Sequence, residues 1–111
     1  MTDKVSLVIP SRDDDIKLFS RTLDAVSSQD VLPSEIIVVD SSKSNHIQDL
    51  LSKHSLKHLI QSKRIQPSFA GLSTNIGIEM ANYELIALLD TKTSPHQSWL
   101  KDYIAILKKE N

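Results

Sequence analysis

Residues 84–100, "ELIALLDTKTSPHQSWL", decide how the chain folds. An apolar run, Leu85 to Leu89, stops on Asp90, and Lys92 follows two positions later. The run is short and nearly continuous in apolar character, which suits a strand buried on both faces of a parallel sheet. Beyond it, Trp99, Leu100, Tyr103, Ile104 and Leu107 repeat at helical spacing and form one apolar stripe. Ser94-Pro95-His96-Gln97 reads as the start of that helix. It offers a capping serine, proline at the first helical position and a glutamine placed to close a capping box.

Working outward, the same strand–helix unit recurs. Val5–Ile9 and Ile36–Val39 are further apolar, partly β-branched runs. Leu59–Ile60 is a weaker run that belongs at a sheet edge. Ile16, Phe19, Leu23 and Val26 predict a helix after the first strand; Ile47, Leu50 and Leu51 predict one after the second. Gly71 to Met80 is the third helix, and Gln61–Ala70 reads as a loop. Four strand–helix units in a row predict an α/β fold: a Rossmann-like parallel sheet of about four strands with right-handed crossovers and helices on both faces. Residues 1–111 form a single domain.

The chain has 111 residues, which fits one domain with its own core. It contains no cysteine, so neither disulfides nor thiolate metal sites are available, and a reducing, cytoplasmic setting is expected. The net charge is -1 with both signs interspersed, which argues against a nucleic-acid partner. No apolar run reaches the length of a transmembrane helix.

In an open parallel sheet, ligands bind beyond the carboxyl ends of the strands. Three segments fall there: Pro10-Ser11-Arg12-Asp13, Asp40-Ser41-Ser42 and Asp90-Thr91-Lys92. Asp13 to Asp15 also suit the N-terminus of the first helix, and Asp40 with its serines also suits a turn. The histidines at 46, 54, 58 and 96 are scattered and form no metal-ligand pattern. Gly71 and Gly77 make no dinucleotide fingerprint, and no phosphate-loop sequence is present. A receiver-like signalling domain would need an aspartate ending the third strand, where this chain has Gln61 and Ser62.

Read together, these stretches resemble the N-terminal half of a family 2 glycosyltransferase with the GT-A fold. "VSLVIPSRDD" resembles V-x-V-V-I-P-T-Y-N, and "PSEIIVVDSSKS" resembles P-x-E-I-I-V-V-D-D-G-S. "GLSTNIGIEMANYELIALLD" resembles the segment from the A-R-N-x-G-I helix to the strand that ends in D-x-D. The resemblance covers nearly the whole chain. It implies a nucleotide-diphosphate sugar donor, UDP-sugar favoured, transferred to an acceptor in glycan or polysaccharide synthesis. By position it implies donor-nucleotide contacts for Ser11, Asp13, Asp40, Asn75 and Asp90, with Asp40 on the base and Asp90 as the first acid of D-x-D. It also implies that the acceptor site, for a glycan or a lipid-linked glycan, and the catalytic base belong to a second half. This chain alone is then not expected to complete transfer, and membrane association is an expectation for the full-length protein. The competing expectation is a non-catalytic α/β binding module derived from such an enzyme.

The departures from the pattern are informative. Lys92 stands at the second acid of D-x-D, Thr74 where arginine is common, Ser41-Ser42 where the second motif has a glycine, and Tyr83 where glycine is common. A magnesium or manganese ion on Asp90 would meet the Lys92 ammonium. Two unit charges about 4 Å apart interact by about 4 kcal/mol at an effective dielectric near 20, and a divalent ion is repelled more. Lys92 is therefore the candidate catalytic residue, expected to point at the diphosphate and take over part of a metal's electrostatic work. With strand order 3-2-1-4, Leu85–Leu89 would be an apolar edge, which predicts a dimer through it.

Overall fold

The computed structural model describes residues 3–110. The elements run β1 (Val5–Ser11), α1 (Ile16–Ser27), β2 (Glu35–Asp40), α2 (His46–Lys53), a 3-10 turn (Lys57–Leu59), β3 (Ile60–Arg64), α3 (Ala70–Met80), β4 (Leu85–Leu88) and α4 (Trp99–Glu110). All strand pairings are parallel, and the order is β3-β2-β1-β4. This is the expected α/β sheet with the expected strand order.

The period-2 alternation of each strand sorts its side chains between two cores. Val5, Leu7 and Ile9 of β1 and Ile36 and Val38 of β2 pack with Phe19, Leu23 and Val26 of α1, Ile47 and Leu51 of α2, and Leu100 and Ile104 of α4. Val8, Ile37 and Val39 face the other way, onto Ile76 and Met80 of α3. Three helices thus cover one face, and α3 covers the other. Each large apolar side chain so buried contributes about 1.5–3 kcal/mol.

Gly77 sets how closely α3 lies on the sheet. A Cβ at that position would sit 2.4 Å from Val8 Cγ1, so a larger residue fits only if the Val8 side chain, the helix or the strand shifts. The crossover runs α3 antiparallel to the strands, which brings its N-terminus to their carboxyl ends.

Two expectations need correction. The helix α4 begins at Trp99, four residues after Pro95. Gln97 does not close a capping box on Ser94. Its amide donates to Asp30 Oδ1 at 2.7 Å, and Ser98 Oγ donates to Asp30 Oδ2 at 2.9 Å. Gln29 holds the same junction, donating to His96 O at 2.7 Å and accepting from Leu100 N at 3.0 Å. The loop after α1 therefore fixes where α4 starts. The second correction concerns Gln61 to Arg64, read as loop but forming most of β3. These residues are exposed because β3 is an edge strand, so their polar sequence hides a regular ladder with β2. At the other edge is β4, as expected, with Leu88 46% exposed.

The amino ends of the strands are closed by one carboxylate. Glu35 accepts from Ser6 Oγ at 2.6 Å, from Asn82 N at 2.7 Å and from Asn82 Nδ2 at 2.8 Å. Burial alone would raise its pKa. The Ser6 hydroxyl and the two Asn82 donors outweigh burial together and hold it below its ordinary 4.5. The cluster ties β1 and β2 to the turn that joins α3 to β4.

Candidate functional site

A cavity of about 400 Å³ opens at the carboxyl ends of β1 and β4. Its floor and β1 wall are Pro10, Ser11, Arg12 and Asp14, with Ser41 from the end of β2. The β4 wall is Leu88 to Lys92. The remaining wall is Ser68, Ser73 and Thr74, from α3 and the loop before it.

Each wall follows from local chemistry. Asp15 caps α1, accepting from Lys17 N at 2.8 Å and Leu18 N at 3.1 Å, so the acidic run before α1 ends in a structural role. Before it, Asp13 turns the chain with φ 47°, a left-handed conformation that costs an aspartate about 1 kcal/mol or more. Two hydrogen bonds offset that cost. Asp13 N donates to Ser42 Oγ at 2.7 Å, and Asp13 Oδ1 accepts from Lys43 N at 3.0 Å. The loops after β1 and β2 are thereby fastened together. The turn after β4 is fastened to α1, because Thr22 Oγ1 donates to Thr91 O at 2.8 Å. Asp90 Oδ1 closes that turn on Lys92 N at 3.0 Å.

The structure therefore gathers some of the expected residues and not others. Ser11, Asp90 and Lys92 all line this cavity. Asp13 does not; it joins two loops behind the rim. Asp40 lies beside the cavity but is fully buried, and its carboxylate is already engaged. Its oxygens accept from Ser42 N at 2.9 Å and Gln48 Nε2 at 3.2 Å, and Arg64 Nε lies 3.8 Å away. Asn75 is on α3 but outside the lining, which takes Ser73 and Thr74 instead.

Asp14, Ser68 and Ser73 are lining residues that sequence reasoning passed over, and Arg12, within a strand-end segment it named, was given no role. For Ser73 a signal existed. It stands four residues before Gly77, hence on the sheet-facing side of α3, one turn nearer the strand ends. For Ser68, two residues before α3, none did.

Three buried hydroxyls of this cavity, Ser11 Oγ, Ser68 Oγ and Ser73 Oγ, have no hydrogen-bond partner among the described residues. Ser11 is 3% exposed and Ser73 is 1% exposed. An unpaired buried hydroxyl costs about 1–3 kcal/mol, so three around one cavity describe a surface built for a polar ligand. Among the described residues, neither the Arg12 guanidinium nor the Lys92 ammonium is in an ion pair. A divalent ion fits this donor set poorly. Two carboxylates line the cavity, but each already closes a backbone turn: Asp14 accepts from Arg12 N at 2.7 Å and Asp90 from Lys92 N at 3.0 Å. Lys92 lines the same cavity, and no group of three metal-ligating side chains occurs among the described residues.

The comparisons agree with this architecture. A family model described as "Glycosyl transferase family 2" matches residues 6–111. Glycosyltransferase AglE of Haloferax volcanii is 33% identical over 104 residues, covering 87% of this chain and 33% of that protein. A chondroitin synthase of Escherichia coli is 26% identical over 110 residues, covering 95% of this chain and 16% of that protein. The chain thus spans a third or less of these relatives. Among solved structures, S. aureus TarS 1–349 in complex with UDP-GlcNAc superposes with a TM-score of 0.79 at 22% identity, over 96% of this chain and 31% of that one. Fold, strand order and family match converge: the chain belongs to glycosyl transferase family 2.

Proposed function

We propose that this chain binds the nucleotide-diphosphate sugar donor of a glycosyltransferase, with a UDP-sugar favoured, in the cavity at the carboxyl ends of β1 and β4. The observation that carries this reading is the convergence of Ser11, Asp90 and Lys92 on one cavity whose buried hydroxyls lack partners. The UDP preference draws on the TarS structure, a complex with UDP-GlcNAc. Acceptor recognition, for a glycan or a lipid-linked glycan, is assigned to the part of such proteins outside the matched segment.

In this reading Ser11 contacts the nucleoside and Asp90 the ribose or the Lys92 ammonium. Lys92 lies against the diphosphate and stabilises the charge that develops on it as the sugar leaves. Asp40 acts mainly by shaping the turn that presents Ser41. Direct contact between Asp40 and a base would require Gln48 or Arg64 to withdraw. Reliance on magnesium or manganese is weak, because the ammonium occupies the position of a second acid. No helix among the described residues is long and apolar enough to cross a membrane.

Calorimetric titration with uridine, guanosine, thymidine and adenosine diphosphates tests this. Binding of one of them, weakened about tenfold or more in Lys92→Met, is expected. A folded protein that binds none of the four contradicts the donor assignment and favours a binding module without a nucleotide.

A further inference from the structure

The α3 end of the cavity is electrostatically unfinished. Helix α3 has eleven residues, and its N-cap, Phe69, makes no side-chain cap hydrogen bond. The first-turn N–H groups of a helix carry partial positive charge and need acceptors. Arg12 brings a full positive charge to the same place. Its Nη1 donates to Ser68 O at 3.2 Å, two residues before α3 begins. A cation held beside the positive end of a helix is unfavourable unless an anion lies between them. Ser73, in the first turn of α3, is 1% exposed and lines the cavity with its hydroxyl unpartnered. A buried helical serine ordinarily returns its hydroxyl to a carbonyl one turn back. Ser73 leaves it free in the first turn of the helix, in the cavity that Arg12 also lines.

We propose that Arg12, Ser68, Ser73 and the N-terminus of α3 form an anion subsite that holds the donor's diphosphate without a divalent ion. The inference rests on the donor-binding reading and extends it: Lys92 serves the β4 wall, and this cluster serves the α3 wall. Together they surround a diphosphate with donors from both sides, which is the work otherwise done by a metal. Arg12 suits the task, since a guanidinium offers a planar pair of donors to phosphate oxygens.

The test is a calorimetric titration of wild type, Arg12→Met and Ser73→Ala with pyrophosphate, UDP and uridine, each with EDTA and with manganese. Circular dichroism and urea unfolding establish that each variant is folded. We expect pyrophosphate and UDP to bind with EDTA present, and affinity to fall about tenfold or more in both variants while uridine binding is unchanged. UDP binding that requires manganese and is unaffected by either variant would overturn the subsite but leave the donor reading standing. Pyrophosphate binding lost in both variants, with no nucleoside preference, would support the subsite and remove the nucleotide reading. Absence of pyrophosphate binding in wild type overturns the subsite.

Discussion

The two ends of the sheet are built on opposite rules. At the amino end, the buried carboxylate of Glu35 has three donors and a lowered pKa. At the carboxyl end, among the described residues, three buried hydroxyls have no partner and two cations are in no ion pair. Both ends bury polar groups, yet the three unpartnered hydroxyls all lie at the carboxyl end. Satisfied groups hold the fold together; unsatisfied ones carry a standing cost that a ligand can remove. Substitutions at the two ends should therefore differ in sign as well as in size.

The largest effect is expected at the amino end. Glu35→Ala strands the Ser6 hydroxyl and both Asn82 donors and should cost about 3 kcal/mol in urea unfolding. A loss under about 1 kcal/mol would erase the contrast between the ends. Next comes Gly77→Ala, midway along α3. Its Cβ would collide with Val8 Cγ1, and about 1–3 kcal/mol of destabilisation is expected from the overpacking. Ser73→Ala is only four residues away on the same helix and should behave differently. Removing an unpartnered hydroxyl should leave stability within about 1 kcal/mol of wild type, or raise it, while UDP affinity falls. Substantial destabilisation by Ser73→Ala would mean that its hydroxyl has a structural partner after all.

The smallest effect concerns pH. The folded-state pKa of Glu35 lies below its ordinary 4.5, so the carboxylate contributes stability that is fully present above the unfolded value. That contribution is lost as pH falls from about 4.5 through the lowered folded-state value. Denaturant melts between pH 6 and 3 should show it, and Glu35→Gln should flatten the acid limb. An identical pH profile in that variant would show that other carboxylates dominate.

Much of the fold was legible because β1 and β2 are buried and Leu85 to Ala87 of β4 are at least half-buried, so burial wrote itself into continuous apolar runs. The polar sequence of Gln61 to Arg64 hid β3, since an edge strand need not be apolar to pair. The start of α4 was misplaced for a different reason. Its local capping signal at Ser94 and Pro95 lost to a contact with Asp30, 67 positions earlier from Gln97. Local propensity cannot register such a contact. The site divides in the same way. Ser11, Asp90 and Lys92 follow from the strand-end rule, because position along a strand fixes them. Asp13 and Asp40 share those segments but are engaged elsewhere, for their roles depend on which loop donates to which carboxylate, and Asn75 lies on α3 outside the lining. Arg12 and Ser68 meet across 56 positions, a juxtaposition that only the fold creates.

The most direct test of the donor cavity is amide chemical-shift mapping of the 111-residue chain during titration with UDP. We expect shifts concentrated at Ser11, Arg12, Ser41, Ser73, Asp90 and Lys92, and none at Ser6, Glu35 or Asn82. Shifts confined to the Glu35 end, or none at saturating UDP, would contradict the assignment of the carboxyl end as the donor site.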